Sequence, residues 1–241
     1  MSSEGITIEY KGTTINLDPS LIGKIEFNDE KGIKIYDKEN NLIVLLQGSG
    51  AGHALIEGTY VMFGLNSTIT INGDDQGRVN SIEVGTEKGN YIIEKTEEGK
   101  IQITSPMGNV ISYNPVEFNS KAIHIRKNGS ALIELWPGIT MEIDTEGNIT
   151  SKIMDSDGKW IDIEGDIDNV SFKDGVLTVN FKNGAVLTRS AQSITIEYGG
   201  TTLKIDSNLI GEIGLSKYDS ILLYDKDGDY LGVITPQGWG K

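Results

Sequence analysis

The sequence contains no cysteine among its 241 residues. That removes disulfide frameworks, thiol nucleophiles and thiolate metal sites from consideration. Basic residues are scarce beside acidic ones, 21 against 35, for a formal net charge of −14. A nucleic-acid backbone or an anionic membrane needs a basic face, so neither is expected as a partner. No apolar run is long enough to cross a bilayer, and no membrane insertion is expected. The opening Met1-Ser2-Ser3-Glu4 lacks the basic and apolar regions of a secretory signal, so no signal peptide is expected. Histidine occurs only twice, at His53 and His124, too few for a histidine-rich metal site. Aromatic residues make up 7% of the chain, which is thin for a cleft that stacks sugar rings.

What is present is a duplication. Residues 6–53 realign on residues 194–241 at a constant offset and without gaps, with 19 of 48 positions identical. Ile6-Thr7-Ile8-Glu9-Tyr10 returns as Ile194-Thr195-Ile196-Glu197-Tyr198, Leu21-Ile22-Gly23 as Leu209-Ile210-Gly211, and Tyr36-Asp37-Lys38 as Tyr224-Asp225-Lys226. Most differences keep apolar opposite apolar, as Phe27 with Leu215. The expected organisation is a β module at 1–53, a central β-meander domain at 54–193, and a second copy of the module at 194–241. The run Gly48-Ser49-Gly50-Ala51-Gly52 reads as a linker closing the first copy.

Alternation of period two runs through the chain, as in Ile101 and Ile103, Ile123 and Ile125, and Ile161 and Ile163. Short turn signals separate these runs, among them Asn128-Gly129, Asp174-Gly175, Asn183-Gly184 and Glu146-Gly147. Such pairs supply the positive φ of tight hairpins. No window shows a helical stripe, so the expected fold class is all-β and hairpin-rich, with a β-solenoid or spike-like build as the alternative.

Three groups of side chains carry possible chemistry. Glu142-Ile143-Asp144-Thr145-Glu146 resembles the catalytic strand of the laminarinase and lichenase type of β-jelly-roll glycoside hydrolase. The resemblance implies Glu142 as nucleophile and Glu146 as acid/base, with Asp144 sharing their strand face. Glu146 runs into Gly147, which places it in a turn. Asp225, Asp227 and Asp229, like Asp155 and Asp157, alternate carboxylates around a glycine, a spacing that suits calcium. A structural calcium is therefore the one cofactor the spacing admits. Finally, Tyr10, Tyr36, Tyr198 and Tyr224 recur in the two copies, and Trp239 lies in a glycine-rich stretch where the first copy has Ala51. These are the interface or ligand candidates, beside Trp136 and Trp160.

These features together point to a non-enzymatic structural or assembly protein. The model case is a bacteriophage virion component of the tail, baseplate or fibre kind, docking through duplicated terminal β modules. Its partners would be copies of itself and other assembly proteins, and its location the virion, with the cytoplasm as alternative. A carbohydrate-binding β module is the second reading, with a glycan as partner, and the glycoside hydrolase is the third.

Overall fold

The structure is a computed structural model that describes residues 5–136, 138–155, 157–216 and 219–240. The opening Met1-Ser2-Ser3-Glu4, on which no signal peptide is expected, lies outside the described residues. Among the described residues every regular element is a strand apart from three short 3-10 turns, so the protein is all-β. The strands lie in two sheets, of twelve and fourteen strands, which the chain visits in turn. It opens the first sheet with β1 (Ile6–Tyr10) and β2 (Thr13–Leu17). It then lays β3 (Lys24–Asn28), β4 (Gly32–Tyr36), β5 (Leu42–Leu46), β6 (Gly52–Ile56) and β7 (Thr59–Phe63) in the second. The first sheet resumes with β8 (Thr68–Gly73), β9 (Val79–Thr86), β10 (Gly89–Lys95), β11 (Ile101–Thr104) and β12 (Val110–Tyr113). The second takes β13 (Ser120–Ile125), β14 (Ala131–Trp136), β15 (Ile139–Ile143), β16 (Ile149–Met154) and β17 (Trp160–Glu164). Next come β18 (Ile167–Lys173), β19 (Val176–Phe181), β20 (Val186–Arg189), β21 (Ser193–Tyr198) and β22 (Thr201–Asp206) in the first. Finally β23 (Glu212–Leu215), β24 (Ile221–Tyr224), β25 (Tyr230–Thr235) and β26 (Gly238–Gly240) return to the second.

The chain divides into two compact units. One comprises Met1–Val110, Lys121–Ile133 and Ile143–Gly147. In it β1-β2-β8-β9-β10-β11 follow one another in the first sheet and β13-β7-β6-β5-β4-β3 in the second. Neighbours are antiparallel hairpins except β2 with β8 (Ile15 opposite Ile69) and β7 with β13 (Val61 opposite Ile123), which are parallel. A parallel pair needs a crossover, and here the crossover is a whole pass of strands through the other sheet. The core is the inward row of each sheet: Ile15, Ile69, Ile82 and Ile93 from one, Ile35, Val44, Ala54 and Val61 from the other, all fully buried. Tyr91 is buried among them, and its hydroxyl donates to the Gly129 carbonyl at 2.8 Å. Burial, with the Asp144 carboxylate adding to it, pushes its pKa up to about 12.

The other unit comprises Ile111–Ser120, Glu134–Glu142 and Asn148–Lys241. It repeats the scheme, with β12 parallel to β18 (Tyr113 opposite Val170) and β17 parallel to β23 (Ile163 opposite Ile213). Its core includes Tyr113, Val170, Val179, Leu187 and Ile196 with Ile153, Ile163 and Leu223.

Each move from the first sheet to the second uses the same device. Asp18 accepts the Ser20 N–H at 2.8 Å ahead of Pro19–Leu21, and Asp206 accepts the Asn208 N–H at 2.9 Å ahead of Ser207–Leu209. Asn114 accepts the Val116 N–H at 3.2 Å ahead of Pro115–Glu117. A side-chain oxygen thus satisfies the first free backbone donor of each short turn. The second residue after each turn then docks on the next strand pair: Gly23, Asn119 and Gly211 donate to the carbonyls of Tyr36, Trp136 and Tyr224. The middle segment therefore contains the same crossing as the two duplicated ends.

The run read as a linker, Gly48–Gly52, is instead the hairpin turn between β5 and β6, closed by Gln47 and Ala51, together with Gly52, the first residue of β6. Its glycines answer to close packing, since a Cβ on Gly52 would lie 2.1 Å from the Leu45 carbonyl oxygen. The repeated Gly23 and Gly211 have the same cause. A Cβ there would lie 2.2 Å and 2.4 Å from the carbonyl oxygens of Asp37 and Asp225. Gly23→Ala and Gly211→Ala should each cost about 1–3 kcal/mol of stability by forcing the turn away. Urea midpoints measure this; an unchanged midpoint for both would contradict the packing described.

Candidate functional site

The acidic candidates serve turns. Asp225 Oδ1 accepts the N–H groups of Asp227 and Asp229 at 2.9 and 2.8 Å, and the Asp225 N–H donates to the Asp229 carbonyl. Asp155 makes the same turn, accepting from Asp157 and Lys159 at 2.9 and 2.8 Å. Its fully buried carboxylate also meets the Lys226 ammonium at 3.4 Å. In the first copy, Asp37 accepts from Glu39 and Asn41. In each of these turns the oxygen that accepts the backbone donors is Oδ1. Among the described residues no three His, Asp or Glu side chains are grouped as a metal site. The hydrolase pattern is divided in the same way. Glu142 projects from β15 into solvent, while Glu146 lies in the turn after it, its N–H held by Asp144 Oδ1 at 2.8 Å.

The aromatic candidates are placed separately. Tyr10, on β1, meets Phe27 of β3 edge to face, ring centroids 6.0 Å apart, with the Lys11 ammonium 5.6 Å from its ring. Tyr36 lies beside Lys24, and its hydroxyl donates to Glu26 at 3.2 Å. Tyr198, the counterpart of Tyr10, is buried, and burial raises its pKa. Tyr224 packs edge to face on Tyr230 at 5.9 Å. Trp239 lies over Gly232, where a Cβ would come within 2.3 Å of its ring. The first copy has Val44 and Ala51 at these two positions, so a valine and an alanine are exchanged for a glycine and a tryptophan.

Two features drew little signal in sequence. Trp136 and Trp160, 48% and 44% exposed, line a cleft of about 360 Å³ together with Glu134, Gly138, Thr140 and Ser120. Both tryptophans alternate with buried residues at the ends of β14 and β17, so both face outward. On the outer face of the other unit, register sets Leu45, His53, Met62 and His124 in one row across β5, β6, β7 and β13. His53 stacks edge to face on Tyr60 at 5.1 Å. Its Nε2 is buried without a hydrogen-bond partner. Burial holds its pKa below the ordinary 6.5.

No protein-family model matches the chain, and no curated protein matches it. Among solved structures it is similar to the TCP10 domain of Danio rerio CPAP. The structure of that domain with a peptide of Danio rerio STIL is 13% identical with a TM-score of 0.20, over 88% of this chain and 98% of that one. A point mutant of the domain gives 16% and 0.18, over 80% and 98%. A CPAP G-box structure gives 13% and 0.14, over 78% and 95%. Scores this low carry no argument about this chain's partners.

The lowered pKa of His53 has a consequence for stability. The unfolded chain takes up a proton near pH 6.5 that the folded chain resists, so stability is lost as pH falls through that range. The thermal midpoint should drop between about pH 7.5 and about pH 5.5, above the range of ordinary carboxylates. His53→Leu should flatten that drop; an equal drop in the variant would remove His53 as its cause.

Proposed function

We propose that this protein is a non-enzymatic structural component of an assembly that docks through its duplicated terminal modules, with a bacteriophage tail, baseplate or fibre as the assembly in question. One observation carries the reading. The edge strands of the first sheet are β1 and β22, and those of the second are β3 and β26. All four belong to the duplicated modules, so among the described residues each sheet edge on which a neighbour could add a strand is presented by them. An open edge is a template for pairing. The acidic side chains that caught the eye in sequence cap turns, which suits a frame. Mass spectrometry of gradient-purified particles from the source of this chain tests it. The chain should be present in a fixed number of copies per particle, and its absence from particles would overturn the reading.

The cleft between Trp136 and Trp160 favours a second reading, a carbohydrate-binding module. Half-exposed indole faces suit the apolar face of a sugar, and Glu134, Thr140 and Ser120 offer polar partners around them. A glycan array should then give a hit whose affinity, followed by tryptophan fluorescence, falls at least tenfold in Trp160→Ala. A blank array, or unchanged affinity in Trp160→Ala, would remove this reading.

A further inference from the structure

The duplication supplies an internal control for what is missing at one end of the molecule. The same module occurs twice with the same fold, and its inward residues differ in exposure from copy to copy. Ile194 of β21 is fully buried and Ile213 of β23 is 3% exposed, while their counterparts Ile6 of β1 and Ile25 of β3 are 36% and 44% exposed. Phe27, the counterpart of Leu215, is 61% exposed. Tyr198 is buried and Tyr10 half-buried. Composition cannot cause this, because three of the four pairs are identical residues. What differs is the next strand. In the second copy β20 pairs along β21 (Arg189 opposite Ile194, Leu187 opposite Ile196) and β17 pairs along β23 (Ile163 opposite Ile213). In the first copy β1 and β3 are the last strands of their sheets.

The geometry points to a second copy of this chain as the cover of that end, paired through a twofold axis; this rests on the assembly reading above. In the second copy the equivalent edges are covered by strands of this same chain, β20 antiparallel to β21 and β17 parallel to β23, so both edges of the module accept a further strand. A twofold operation also meets both edges at once. It reverses each strand onto itself, bringing β1 against the partner's β1 and β3 against the partner's β3, both antiparallel. The contact between the Tyr10 and Phe27 rings places the two edges beside each other, so one patch contains both. Two of the usual protections of an edge are missing: there is no proline in either strand, and their pairing with β2 and β4 runs without a bulge. Lysine occurs only at Lys24, where it is paired with Glu26. Because the chain is acidic overall and the patch is apolar, salt should strengthen the pairing by screening repulsion between copies.

Sedimentation of the full chain over about a hundredfold range of concentration, at low and high salt, is the test. The mass should rise from one chain to two, with tighter association at high salt. Phe27→Lys and Ile25→Lys change side chains that are exposed in the single chain, so their melting should match the parent when dilute. Each should weaken the dimer at least tenfold, while Trp239→Lys, on β26, should not. Amide exchange in β1 and β3 should slow as concentration rises, which reads the same contact without any substitution. A single-chain mass at every concentration, or a dimer that neither Phe27→Lys nor Ile25→Lys weakens, overturns the inference. Either result leaves particle incorporation to be judged by its own experiment.

Discussion

A strand buried on one face needs hydrogen-bonding neighbours on both sides, because an unpaired backbone group cannot be buried cheaply. This chain meets the demand almost wholly with local hairpins. The described exceptions are four parallel pairs: β2 with β8, β7 with β13, β12 with β18 and β17 with β23. Each is the place where a new pass through a sheet lies against the end of the previous one. They turn separate meanders into continuous sheets. They also make the crossings at Asp18, Asn114 and Asp206 indispensable, since the chain must leave one sheet cleanly to return beside itself later.

The same economy explains the acidic composition. A hairpin turn exposes donors that water or a side chain must satisfy, and an aspartate at the first turn position satisfies two of them. Asp37, Asp74, Asp155 and Asp225 all do this. A chain with this many hairpins gathers many such aspartates. Its negative charge is thus in part a by-product of turn chemistry, and turn-capping aspartates of this kind by themselves produce alternating acidic spacings such as Asp225, Asp227 and Asp229.

Much of the fold was legible because its determinants are local. Period-two alternation located the strands, and Asn128-Gly129, Asp174-Gly175 and Asn183-Gly184 all form turns with their glycines at positive φ. The repeated Gly23 and Gly211 could be seen but not explained, since the atoms they make room for lie in the distant turns at Asp37 and Asp225. The crossing in the middle of the chain was invisible for a related reason. Only an Asx side chain and a proline, Asn114-Pro115, match Asp18-Pro19 there, and two residues do not stand out from chance. The glycine run at 48–52 misled because a tight hairpin and a flexible linker both favour glycine. The Trp136 and Trp160 cleft depends on two strands that are not adjacent in sequence, so no spacing rule would have joined them.

The two copies also show how a module adapts to its place without changing its fold. In the second copy Trp239 covers Gly232; in the first, Val44 stands at the position of Gly232 and is fully buried. A tryptophan on the edge strand β26, itself 40% exposed, shields inward surface that would otherwise face water. In the first copy Ile25 and Phe27 on β3 are 44% and 61% exposed. Fully burying an exposed isoleucine or phenylalanine is worth about 1.5–3 kcal/mol per side chain, and these two retain part of that gain for an association. That asymmetry between copies of one module is the physical reason to seek the partner at β1 and β3 first.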